Sequence, residues 1–219
     1  KNKALLTRAT LYLNEAKSSG SLSSKIFNLK VITKQRAPLS NFVSYYQPGK
    51  DVGSILRNSS FFESGVNPDG LLYKTERGDA VYYAQLNHLG QNDLYRIDKL
   101  LDGWGEPLQL REINSDGDDQ MPFLLVDGLS IYFSSNREGG MGGFDIYKST
   151  YDSENSVYSE PVNLGVPFNS PFDDYMFVAD EFKNVAWFSS NRFSSTDSVD
   201  VFQIVWDNSV IRNLAMNTD

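Results

Sequence analysis

Residues 127–149 read DGLSIYFSSNREGGMGGFDIYKS, and residues 183–205 read KNVAWFSSNRFSSTDSVDVFQIV. The two stretches are copies of one pattern, and a fainter copy, RGDAVYYAQLNHLGQNDLYRID, covers 77–98. Tyr83, Phe133 and Phe188 fall 50 and 55 residues apart, and Asp93, Asp145 and Asp200 fall 52 and 55 apart. Between the copies, Glu106-Pro107 recurs as Glu160-Pro161, and Asp119-Gln120-Met121 as Asp174-Tyr175-Met176. A fixed period of this length marks a repeat architecture, because each unit buries its apolar face only against its neighbours.

The middle copy parses into four strands: Gln120–Val126, Leu129–Ser135, Phe144–Thr150 and Val157–Leu164. Asp127-Gly128 reads as a two-residue hairpin turn, since glycine accepts positive φ. The run Glu138-Gly139-Gly140-Met141-Gly142-Gly143 forms the next turn. Four antiparallel strands per unit of about 50 residues predict an all-β, propeller-like array of four-stranded blades. A β-sandwich gives turns at similar intervals but no reason for one motif to recur. The content of 14 Phe, 12 Tyr and 3 Trp also favours strands.

The motif Asp127-Gly128-x-x-x-Tyr132-Phe133-Ser134-Ser135-Asn136-Arg137, then a glycine-rich turn and Asp145-Ile146-Tyr147, resembles the WD40-like (TolB-type) propeller repeat. Asn191-Arg192 with Asp200-Val201-Phe202 matches it as well. The pieces Glu-Pro-Val-Asn-Leu and Asn169-Ser170-Pro171-Phe172-Asp173-Asp174-Tyr175 are similar to envelope proteins of Bacteroidetes-type bacteria. The resemblance covers about residues 65–206, and the first copy departs from it, with Ala84-Gln85-Leu86-Asn87 in place of Ser-Ser-Asn-Arg. It implies a binding or scaffolding module that presents propeller loops to a protein partner. It also implies a periplasmic or outer-membrane-associated location. Two alternatives accompany it: a glycan-binding or glycoside-hydrolysing propeller, and the gating propeller of a peptidase whose catalytic domain lies outside this chain.

Outside the repeats, residues 4–16 carry apolar side chains at helical spacing, and Ser18-Ser19-Gly20-Ser21 reads as a linker. This divides the chain into an N-terminal helix and linker, 1–20, and a repeat domain, 21–219. The chain opens on Lys1 without Met, which reads as a segment trimmed from something longer. Ile26–Thr33 alternates like a strand and has Val210–Leu214 or an exposed edge strand as candidate partners. Three repeats fall short of a closed ring, so the segment 26–66 supplies a degenerate fourth blade, or the array stays open. An open array exposes strand edges and invites self-association.

Charge and composition exclude several functions. The net charge is −8, with 20 basic residues against 28 acidic ones, which argues against nucleic acid and anionic membranes. No run of ~18 apolar residues is present to span a bilayer. With no cysteine, disulfides, cysteine-based zinc sites and thiol nucleophiles are excluded within this chain. GGMGG lacks the Gly-Lys-Ser/Thr ending of a phosphate loop, and Gly49-Lys50 is followed by Asp51. The one histidine, His88, lies in a turn with no nucleophile motif nearby.

The remaining candidates are polar. Asn136, Arg137 and Asp145, with Asn191, Arg192 and Asp200, form a structural repeat motif: Ser and Asn satisfy backbone at a strand end, and Arg pairs with an acid. Asp145 and Asp200 are the expected partners. The acidic loop Asn114, Asp116, Asp118 and Asp119, with Asp173 and Asp174 in the next copy, is the candidate binding loop. Its alternate oxygen side chains suggest calcium, but the twelve-residue spacing and closing Glu are missing. The aromatic pairs Tyr45-Tyr46, Phe61-Phe62 and Tyr82-Tyr83 read as core or a partner-binding patch. No cofactor and no catalytic residue is expected.

Overall fold

A computed structural model describes residues 29–194 and 197–207; the expected N-terminal helix, its linker and Val210–Leu214 lie outside them. The described residues are mostly β, in three antiparallel sheets. The N-terminal sheet holds β2 (Ser54–Arg57), β3 (Leu71–Lys74), β4 (Ala80–Leu86), β5 (Asn92–Leu100), β6 (Gly103–Trp104) and β7 (Leu108–Gln109). The middle sheet holds β8 (Asp119–Leu124), β9 (Ser130–Ser135), β10 (Asp145–Asp152), β11 (Val157–Tyr158) and β12 (Val162–Asn163). The C-terminal sheet holds β13 (Asp174–Asp180), β14 (Val185–Ser190), β15 (Ser198–Val205) and, from the other end of the chain, β1 (Val31–Pro38).

Strand order follows one plan. β3, β4 and β5 lie side by side, as do β8, β9 and β10, then β13, β14 and β15. The fourth place beside β5 and β10 is filled by broken strands, β6 with β7 and β11 with β12. The predicted single strand Val157–Leu164 is therefore split. The reason is Pro161, matched by Pro107, which has no N–H for a ladder. In the C-terminal sheet the fourth place belongs to β1, which pairs with β15 over its whole length, Gln35 opposite Val201 and Arg36 opposite Asp200. Of the expected strand Ile26–Thr33, the described part that is strand, Val31–Thr33, belongs to β1, which runs on to Pro38 and pairs with the edge strand β15.

Rings fasten the sheets to one another. Tyr73 on β3 meets Phe123 on β8 at 5.0 Å, and Tyr132 on β9 meets Phe177 on β13 at 4.5 Å. Such pairs contribute about 0.5–1.5 kcal/mol each beyond the area they bury. Both faces of β9 and β13 are buried along their full length, which is why their sequences run IYFSS and YMFVA without strict alternation.

Two expectations need correction. The turn at Asp127-Gly128 is longer than two residues: the Leu125 amide bonds Ser130, and Asp127 Oδ1 accepts the Leu129 and Ser130 amides at 2.8 Å each. Gly128 still sits at φ 71°, so the glycine serves the turn as argued. Among the described residues, the segment 29–66 builds no sheet of its own, because its strands β1 and β2 join the C-terminal and N-terminal sheets. Between them run 3₁₀ turns at Leu39–Tyr45 and Lys50–Val52. Tyr46 Oη donates to the Met176 carbonyl at 2.8 Å, and the Gly49 amide donates to Asp180 at 2.7 Å. Tyr73 Oη donates to the Val52 carbonyl at 2.9 Å, so this segment ties the C-terminal sheet to the N-terminal one.

Candidate functional site

The repeated polar motif is a fastening. Arg192, at the end of β14, donates to Ser190 Oγ at 2.8 Å, to the Pro167 and Phe168 carbonyls, and to Asp174 at 2.6 Å. Arg137, at the end of β9, donates to Ser135 Oγ at 2.9 Å, the Ile113 carbonyl at 2.6 Å and Asp119 at 2.8 Å. The acids that meet the arginines are therefore Asp119 and Asp174, not Asp145 and Asp200. Register alone does not separate them: Asp119 and Asp145 flank Ser135 from opposite sides, as Asp174 and Asp200 flank Ser190, and each arginine turns to the side where the Ile113 or the Pro167 and Phe168 carbonyls also accept from it. Each aspartate turns its other oxygen to the amide and hydroxyl of Ser115 or Ser170.

The remaining motif side chains cross between sheets. Asn114 accepts from the Leu94 amide at 2.7 Å and donates to the Leu94 carbonyl at 3.2 Å. Asn169 grips Ile146 in the same way, both bonds 2.8 Å. Each asparagine thus satisfies one backbone position on the third strand of the preceding unit. Asp118 accepts from the Asn92 amide at 2.9 Å, and Asp173 from the Phe144 amide at 3.1 Å. Asn136 and Asn191 hold the Asp118 and Asp173 amides from the following strand end, at 2.6 and 2.9 Å. Within the candidate binding loop, Asn114, Asp118 and Asp173 thus accept backbone amides from the preceding unit, while Asp119 and Asp174 accept from arginine and serine. Asp116 contributes its carbonyl to Gln91. Among the described residues no group of three or more His, Cys, Asp and Glu is placed to hold a metal ion.

Asp93, Asp145 and Asp200 form a second set, each served by its outermost strand. Asp93 takes Gln109 Nε2 from β7 at 2.6 Å, and Asp145 takes Asn163 Nδ2 from β12 at 2.9 Å. Asp200 takes Lys34 at 3.0 Å and Arg36 at 3.1 Å from β1. Electrostatics diverge accordingly. Burial raises Asp200, but Arg36 and Lys34 overrule it and leave the carboxyl below its ordinary range. Asp145 has no cation beside it; burial pushes it up to about 7, and its Oδ1 has no partner. Burial likewise lifts Asp174 to about 6, with Arg192 pulling the other way.

A cavity of about 480 Å³ opens where β3, β8 and β13 begin. Leu39, Phe42, Val43, Leu71, Ala84, Met121, Phe144 and Tyr175 line its apolar part. Ser40, Arg57, Asn58, Asn67, Asp69, Asn92 and Gln120 line the rest, so one carboxylate and one guanidinium face it. Met121 stands at φ 55° in a bulge of β8, and Met176 repeats this at φ 42° in β13. Non-glycine residues there cost of order 1–3 kcal/mol, so the bulges are held by the packing around them. The repeat of Met121 at Met176 was the sequence signal for this feature; nothing in the repeat pattern pointed to Arg57 or Asn58. His88 is exposed in the β4–β5 turn. Phe61 and Phe62 pack with Trp104 and Tyr83 over the N-terminal sheet, Tyr82 and Tyr83 are core, and Tyr46 is buried.

No family model matches the chain, and neither does any curated protein. The reading of function therefore stands on the geometry and on the repeat motif itself.

Proposed function

We propose that this chain is a non-catalytic binding module, a propeller-like array that offers the loop face around the cavity to a protein partner. The observation that carries this reading is that the repeated polar residues are spent on the fold itself, the arginines and their aspartates within each sheet and the asparagines between successive sheets. A residue copied into successive units for that purpose is a poor candidate for unique chemistry. The cavity fits binding: it is largely apolar with a few polar groups, the composition of ligand pockets generally. It brings one carboxylate, Asp69, where glycoside hydrolysis asks for two facing each other. The common strand order, with β1 completing the last sheet, supports reading the sheets as blades. The resemblance of the motif to envelope repeats supports a periplasmic or outer-membrane setting.

The test is a photo-crosslinking residue placed at Gln120 beside the cavity and, as control, at Phe182, an exposed ring in the β13–β14 turn. A protein adduct specific to position 120, which then binds the purified chain, is the expected result. No adduct at either position, together with turnover of glycoside or peptide substrates by the purified chain, would overturn it.

A further inference from the structure

The cavity carries an unusual charge. Arg36, Arg77, Arg96, Arg137 and Arg192 each pair with a carboxylate. Arg57, on the cavity wall, and Arg111 do not: the Arg57 guanidinium donates only to the backbone oxygens of Ser40 and Asp69, and Arg111 donates to Gln109. The Asp69 side chain is exposed at the rim and makes no ion pair with Arg57. The Arg57 guanidinium is half-buried on the cavity wall while its one acidic neighbour there, Asp69, stays exposed, which leaves the cation available to an anion from outside. A guanidinium already fixed by two carbonyls is oriented for a planar carboxylate.

From this we propose that the cavity binds the C-terminal end of a partner polypeptide, a claim that rests on the binding-module reading above. The terminal apolar side chain lies against Met121 and Phe144, and its α-carboxylate meets Arg57. Two side-chain amides favour a peptide over a free acid. Gln120 makes no side-chain hydrogen bond among the described residues, and Asn67 uses only its oxygen, accepting the Asp69 amide. Both line the cavity and offer donors and acceptors to a peptide backbone.

The experiment is calorimetric titration of the full chain with N-acetyl-Gly-Gly-Phe, the same peptide as its C-terminal amide, and 3-phenylpropionate. The acid peptide should bind, and the amide should bind at least tenfold more weakly. Arg57→Gln should erase that preference. Ala84→Leu fills the cavity without touching Arg57, so it should abolish binding while the melting temperature holds. This second variant guards against loss of fold in the first. Equal affinity for acid and amide, or no binding of the acid peptide below ~1 mM, overturns the proposal. Phenylpropionate binding as tightly as the peptide overturns the chain-end claim. If the peptides fail while the crosslinker at position 120 still captures a partner, only this inference falls; if both fail, the binding-module reading falls with it.

Discussion

Replacing Arg192 with alanine tests the fastening most directly. The guanidinium is 16 % exposed, and the Asp174 it serves is 0 % exposed. Removing one partner of a buried pair leaves an uncompensated charge, at a cost of about 3–5 kcal/mol. For a domain of this size that lowers the melting temperature by about 6–20 °C. The loss should depend on pH in a defined direction. Asp174 has a folded value near 6, above its unfolded 3.8, so its neutral form stabilises the fold on the acid side. That stability is lost as pH climbs through about 6. Without Arg192 the folded value rises further, and the loss continues to higher pH at about 1.4 kcal/mol per unit. Near pH 5 the carboxyl is largely neutral in both proteins, and the deficit shrinks to the missing carbonyl bonds, about 1–2 kcal/mol. Urea unfolding at pH 5 and pH 8 reads both numbers, and adding Asp174→Asn to the variant should recover part of the pH 8 deficit. A deficit below about 1 kcal/mol, or one of equal size at both pH values, refutes the argument.

Three further predictions follow from the same geometry. Asp145→Asn keeps an acceptor for the Met141 amide but removes the charge. Wild-type stability should fall as pH rises through about 7, the raised folded value, and the variant should lack that fall in thermal scans from pH 5 to 8. Asn169→Ala strands the amide of Ile146, whose carbonyl keeps the Leu164 amide, at about 1–3 kcal/mol, and should raise hydrogen exchange at Ile146. An unchanged exchange rate there would mean that the asparagine is not the clasp between sheets. Deleting residues 1–38 bares the edge of β15 and should convert a monodisperse species on light scattering into aggregates; a stable monomer would show that β1 is dispensable.

Much of this architecture was legible because its physics is local. Alternation, turn glycines and a fixed repeat offset located β8 to β10 and β13 to β15 within a few residues. The recurrence of Asp119-Gln120-Met121 as Asp174-Tyr175-Met176, and of Asn136-Arg137 as Asn191-Arg192, also announced a structural device. What it fastened was not legible, since Asp119 and Asp145 both stand opposite Ser135 and only the folded sheet shows Arg137 turned to Asp119, the one more distant in sequence. The splitting of the outer strands was written in Pro107 and Pro161, and only the wish for four equal strands hid it. The segment 39–62 resisted reading for another reason. Its Phe42, Tyr46 and Val52 are apolar to fit two sheets already built, so they follow no period of their own. The cavity has the same origin: its residues come from eight separate stretches, and Arg57 gains meaning only once the others surround it.

β1 also sets the order in which the molecule can be completed. Arg36 and Asp200 are 164 residues apart, so the last sheet lacks its outer strand until nearly the whole described chain has been synthesised. At 5–20 residues per second that is a wait on the order of ten to thirty seconds. Through it, β1 is a strand without a sheet, the state in which segments pair with the wrong neighbour. Its sequence suits the delay: Lys34, Arg36 and Pro38 discourage stacking, and the register slip between Val31 and Thr33 interrupts a flat edge. These features guard the strand against strangers before β15 exists. Afterwards, the same two cations find Asp200, so one pair of charges first delays association and then secures it.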